Sequence, residues 1–216
     1  QETRATPAAE ILQPGSKDRL ATHLSAHHVI SLDRDDGTLD AYRMLRTQVL
    51  NRMRANQHTT LAIAAPLPGD GASHIAANLA MAIVMDPQNS VLLVDCDFKR
   101  PRLHELFCVP NHPGVSEYFT QGSPLTQLLA HPSVERLTIL PAGTALTNAP
   151  ELLGSPQMMQ LIKALKSQDP RRFIIFDLPA ILHSANAVAL APLVDATLMV
   201  VSERQTRADH AVQAAE

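Results

Sequence analysis

Residues 66–80 of this 216-residue chain read Pro66-Leu67-Pro68-Gly69-Asp70-Gly71-Ala72-Ser73-His74-Ile75-Ala76-Ala77-Asn78-Leu79-Ala80, a glycine-bearing loop that runs into a helix of small residues. In loops of this kind the glycines let backbone N–H groups close on phosphates, a lysine supplies charge to the outer phosphates, and a Ser/Thr hydroxyl binds Mg²⁺. Gly69, Gly71 and Ser73 are present, but Ala72 stands where that chemistry wants the lysine. Acidic residues follow two apolar runs further on: Asp95 and Asp97 close Val91–Val94, and Asp177 closes Phe173–Phe176.

The elements that must position these groups read as strands. Short apolar runs at 60–65, 91–97, 137–140, 173–177 and 196–201 alternate with helical stretches such as 72–85, 156–167 and 184–192. Continuous apolar runs of that length suit strands buried on both faces. The expected fold is therefore α/β: a doubly wound, mostly parallel sheet with helices on both faces, of the P-loop NTPase type. Ligands in such sheets bind outside the carboxyl ends of the strands, where Asp70, Ser73, Asp95, Asp97 and Asp177 stand. A single Asp after a strand is commonly a turn former or helix cap. The ordered set beside a phosphate loop instead predicts three carboxylates converging on the Ser73 hydroxyl around a hydrated Mg²⁺.

Before the first strand, Tyr42, Leu45, Val49 and Met53 recur at helical spacing over 39–55. Residues 1–30 mix Pro, Ala, Ser and charged residues around a few apolar positions, too few to offset ordering entropy. The expected division is a flexible leader over 1–37, with the pair His27-His28 a chance feature within it, and a single domain over 38–216. A net charge of −3 gives no general attraction to nucleic acid. Two cysteines, Cys96 and Cys108, fit neither a disulfide framework nor a structural zinc site. They are expected to be reduced, with Cys96 facing the core, in a cytoplasmic protein. No apolar run approaches the ~18–20 residues that span a bilayer, so the chain is expected to be soluble.

Together these segments resemble the bacterial tyrosine kinases of exopolysaccharide synthesis and export, relatives of the MinD/ParA-type P-loop ATPases. The resemblance covers about residues 38–210. Pro68-Gly69-Asp70-Gly71-Ala72-Ser73 is similar to the family's Walker A loop, Pro-Gly-Glu-Gly-Lys-Ser/Thr, and Ala77-Asn78-Leu79-Ala80 to the helix after it. Val94-Asp95-Cys96-Asp97-Phe98-Lys99-Arg100-Pro101 resembles the second acidic motif, and Ile175-Phe176-Asp177-Leu178-Pro179 resembles Walker B. Asn148-Ala149-Pro150-Glu151-Leu152-Leu153 is similar to a further family segment. The resemblance implies ATP or ADP with Mg²⁺ as cofactors, cradled by Gly69, Asp70, Gly71, Ala72, Ser73 and His74. It implies Ser73, Asp97 and Asp177 as metal ligands, and Asp95 and Asp97 as catalytic carboxylates, Asp95 assisting the attacking hydroxyl. Asp40, Arg43 and Arg46 are similar to the family's Glu-x-x-Arg-x-x-Arg interface motif, which implies a homo-oligomer. The implied partner is a membrane-bound polysaccharide chain-length or export protein, placing the chain peripherally at the inner membrane.

Three departures bear on activity. Losing one preorganised electrostatic donor typically costs ~2.7–4 kcal/mol, or roughly 10²–10³ in rate, so Ala72 predicts impaired phosphotransfer with residual nucleotide binding. Only Tyr42 and Tyr118 are present, with no tyrosine cluster near the end of the chain. Pro66 replaces the first glycine of the general loop pattern, a position that varies in the family. Lys99 and Arg100 could approach the phosphates in place of the missing lysine, although surface solvation is the expected reading. The expected function is a catalytically impaired regulator or scaffold of polysaccharide assembly. The alternatives are an active tyrosine autokinase whose lysine was changed to Ala and whose tyrosine tail was removed, and a MinD/ParA-type positioning ATPase.

Overall fold

The structure, a computed structural model, describes residues 16–30, 37–169, 171–203 and 205–216. The described elements run α1 (Ser16–Ala26), α2 (Gly37–Ala55), β1 (Thr60–Ala64), α3 (Ala72–Val84), β2 (Ser90–Asp95), α4 (Leu103–Leu106), α5 (Val115–Gln121), α6 (Leu125–Leu128), β3 (Leu137–Leu140), α7 (Ala149–Leu153), α8 (Pro156–Gln168), β4 (Arg172–Asp177), α9 (Ala185–Leu190), β5 (Ala196–Met199) and α10 (Ala208–Ala215). The five strands form one sheet in the order β3-β2-β4-β1-β5, and every pairing is parallel. This is the doubly wound α/β fold that the apolar runs predict.

The two-residue period of a strand divides the core between the faces of the sheet. Leu61, Ile63, Val91, Leu93, Phe173 and Ile175 meet α3 on one face. Ala62, Ala64, Leu92, Val94, Ile174 and Phe176 meet α8 and α9 on the other. The order also puts β1, β2 and β4 side by side in the middle of the sheet, with β4 between the other two. Their carboxyl ends, which carry the phosphate loop and the acidic residues, therefore open at one edge.

The leader departs from expectation over 16–30. Leu20, Leu24, Val29 and Ile30 are buried and join the core cluster that contains α3. The buried Asn78 on α3 clasps the segment: its Oδ1 accepts from Ile30 N at 2.6 Å and its Nδ2 donates to the His28 carbonyl at 3.2 Å. His23 Nε2 lies 2.9 Å from the Glu105 carbonyl. Four apolar side chains cannot build a core of their own, but each gains about 1.5–3 kcal/mol by covering a surface that α3 already presents. Residues 1–15 and 31–36 of the expected leader lie outside the described residues.

Candidate functional site

The loop after β1 takes its shape from two glycines and one carboxylate. Gly69 and Gly71 have φ of 94° and 95°, and a Cβ at either would meet nothing within 4 Å. Glycine is thus required there by the left-handed backbone, not by crowding. Asp70 turns back on the loop: its N–H donates to the Leu67 carbonyl at 3.3 Å and its Oδ2 accepts from Leu67 N at 3.1 Å. Of the expected cradle residues, Asp70 shapes the loop with its carboxylate and does not present it outward. No side chain caps the start of α3, so the N–H groups of its first turn have no partner within the helix. With the positive end of the helix dipole they suit an anion.

That first turn borders a cavity of about 210 Å³. Gly69, Gly71, Ala72, Ser73 and His74 form one wall, and Leu178, Pro179 and Ala180 another; Asp97, Arg100 and Arg102 face them from the loop after β2. Ala72 brings no charge to this space. His74 is partly buried, and burial first, then the Arg102 charge, lowers its pKa. Lys99 does not line the cavity, whereas Arg102, absent from the sequence expectation, does. Its only sequence signal was a third basic residue in the turn after Asp97.

The acidic residues gather at the ends of β2 and β4, where the charges of Asp95 and Asp97 both act on Asp177. Asp95 and Asp177 are register partners at the ends of β2 and β4, and both are buried. Asp95 Oδ1 accepts from Asp97 N at 3.0 Å, and its Oδ2 accepts from Arg102 N at 3.0 Å and Leu103 N at 3.1 Å. Asp97 Oδ1 accepts from Lys99 N at 3.2 Å and Arg100 N at 3.0 Å. Both residues therefore knit the turn that follows them, as the plainer reading of a post-strand Asp would have it. Among the described residues no group of three or more His, Cys, Asp or Glu side chains is arranged to hold a metal ion.

Asp177 differs from the other two. Neither of its oxygens has a hydrogen-bond partner. Burial and then the neighbouring Asp95 push its carboxyl well above the ordinary range, a rise that the nearby Ser73 hydroxyl opposes. Burial likewise raises Asp95, against the pull of its three backbone N–H donors. An unpartnered buried carboxylate is costly unless a cation meets it. Asp177 beside Ser73 fits Mg²⁺, which takes one or two protein oxygens and fills its shell with phosphate and water. Cys96, between the acids in sequence, is fully buried in the core as expected, and burial and the adjacent carboxylates raise its thiol pKa.

On α2 the expected interface residues separate. Asp40 and Arg43 pair with each other at 3.0 Å on the exposed surface. Arg46 instead points inward and donates to the Ala82 carbonyl of α3 at 3.1 Å.

A parallel sheet of this order, with a double-glycine loop between β1 and α3 and acidic strand ends beside it, defines a P-loop nucleotide-binding domain. Within that class the chain belongs to the bacterial tyrosine-protein kinase family. It is 31% identical over 178 residues to the tyrosine-protein kinase YwqD of Bacillus subtilis, covering 82% of this chain and 73% of that relative. Against the putative tyrosine-protein kinase EpsB of Ralstonia nicotianae it is 28% identical over 204 residues, 94% of this chain but 27% of the relative. It thus spans about a quarter of that longer protein. Among solved structures, the kinase domain of the Escherichia coli tyrosine kinase ETK shares the fold with a TM-score of 0.77 at 23% identity, over 89% of this chain and 86% of that one. The septum site-determining protein MinD of Pyrococcus horikoshii, complexed with Mg-ADP, shares it with a TM-score of 0.54 at 23% identity, over 65% and 56%. The chain matches no protein-family model.

Proposed function

We propose that this chain is a catalytically impaired member of the bacterial tyrosine kinase family. In this reading it binds magnesium nucleotide and serves polysaccharide synthesis or export as a regulator or scaffold beside a membrane-bound partner. The observation that carries the reading is the cavity itself: the glycine loop, Ser73 and Asp97 line it, the buried Asp177 lies next to Ser73, and Ala72 leaves the loop without its cation. When bound, Mg²⁺ would supply charge neutralisation at the phosphates, with Ser73, Asp97 and Asp177 holding it. The first turn of α3 would hold the phosphates, and Asp95 and Asp97 would hold the turn that closes the cavity. Among the described residues no helix is long and apolar enough to cross a membrane.

The two tyrosines support the reading. Tyr42 packs against the core beside α3, and burial raises its phenol pKa. Tyr118 packs against the opposite core and stacks edge-on against Phe119 with ring centroids 5.6 Å apart. Neither hangs on a free tail that could enter a second subunit. Incubation with labelled ATP and Mg²⁺ should therefore leave both unmodified. Phosphotyrosine that forms readily and disappears in Asp97→Asn would replace this reading with that of an active autokinase.

A further inference from the structure

The loop after β2 is built to hold arginines over the phosphate cavity. Its backbone is fixed by the two acids before it: Asp97 anchors Arg100 N, and buried Asp95 anchors Arg102 N and Leu103 N at the start of α4. Both arginines line the cavity opposite Ser73 and His74. Among the described residues neither guanidinium makes a hydrogen bond or an ion pair, unlike Arg43, Arg46, Arg54 and Arg136 elsewhere in the fold. Two cations without protein acceptors thus share one concave space with uncapped helix N–H groups, and Ala72 leaves the middle of that space neutral.

We propose that Arg102, assisted by Arg100, supplies from the loop after β2 the positive charge that the phosphate loop lacks at position 72, so that the cavity selects the polyphosphate of a magnesium nucleoside triphosphate. The proposal rests on the nucleotide-site reading above. A guanidinium suits the task because its fork of donors can grip two phosphate oxygens at once. Arriving from the opposite wall, it acts as a clamp on the outer phosphates and leaves the shape of the glycine loop unchanged. Arg102 is the principal group because its backbone is held by a fully buried carboxylate, whereas Arg100 is held by the more accessible Asp97.

The test is calorimetric titration of the full chain with Mg²⁺-ATPγS, Mg²⁺-ADP and adenosine. The proteins are the parent, Arg102→Gln, Arg102→Lys, Arg100→Ala, Ala72→Lys and the double variant Ala72→Lys plus Arg102→Gln, each checked by circular dichroism. Arg102→Gln should weaken ATPγS binding about tenfold or more, ADP less, and adenosine not at all. Arg102→Lys should keep part of the affinity, and Arg100→Ala should lose less than Arg102→Gln. In the Ala72→Lys background the loss from Arg102→Gln should shrink, because the restored lysine serves the same phosphates. Equal ATPγS affinity in the parent and Arg102→Gln, an equal loss for adenosine, or a full loss in both backgrounds would overturn the proposal. Binding by Ala72→Lys but not by the parent would also overturn it while leaving the nucleotide site standing. Binding by none of the proteins would remove the nucleotide site itself. If Arg102→Gln is misfolded, Arg102→Lys against Arg100→Ala decides, equal and undiminished affinity in both overturning the clamp.

Discussion

Three aspartates that look alike in sequence stand in unlike surroundings. Asp95 spends both oxygens and Asp97 one on backbone N–H groups, whereas Asp177 is buried with neither oxygen hydrogen-bonded. A buried charge without partners costs stability, of the order of 1–3 kcal/mol or more. Asp177→Asn, which removes the charge and keeps the shape, should therefore raise the melting temperature by a few degrees at neutral pH in chelator-treated buffer. Adding Mg²⁺ and ATP should narrow the gap by stabilising the parent and not the variant. A variant that melts at or below the parent in chelator would show that Asp177 has protein partners after all.

At the scale of elements, a charged clasp at the other end of the strands holds the sheet. Asp195, just before β5, accepts from Thr59 N at 2.8 Å and Thr60 N at 2.9 Å at the start of β1, and pairs with Lys166 of α8 at 3.0 Å. Burial opposes its charge, but the donors of Thr59, Thr60 and Lys166 outweigh that and hold its carboxyl far below the usual range. A depressed acid contributes stability that is complete above the unfolded value near 4 and is lost as pH falls toward the folded one. Asp195→Asn should thus cost about 1–2 kcal/mol at pH 7, read from urea denaturation. The gap between variant and parent should shrink below about pH 4; a gap independent of pH would assign the cost to packing.

At the scale of the whole molecule, the residues of α2 expected to meet a second copy divide the work. The exposed Asp40–Arg43 pair is worth only a few tenths of a kcal/mol within one chain, while Arg46 satisfies a carbonyl of α3. If the chain self-associates through this helix, Arg43→Ala should lower the mass seen by light scattering with the melting temperature nearly unchanged. Arg46→Ala should lower the melting temperature by a few degrees through the lost hydrogen bond, about 1 kcal/mol. An oligomer whose mass ignores Arg43→Ala would place the interface elsewhere.

Sequence alone determined the strands, the loop and the family, because each is written in a local pattern. Apolar runs of four to six residues read as the parallel strands, with Asp at the ends of β2 and β4, and Gly-Asp-Gly before a helix fixes a loop that other residues would strain. The tertiary structure decided where the polar atoms point. Asp95 gives both oxygens to the backbone of the turn after β2, whereas Asp97 gives one and lines the cavity. Arg102 reaches the cavity because the buried Asp95 fixes the turn that carries it. The segment 16–30 orders because α3 offers its side chains a surface that the segment could not make for itself. Those outcomes depend on partners far away in the chain, so no window of sequence contains them.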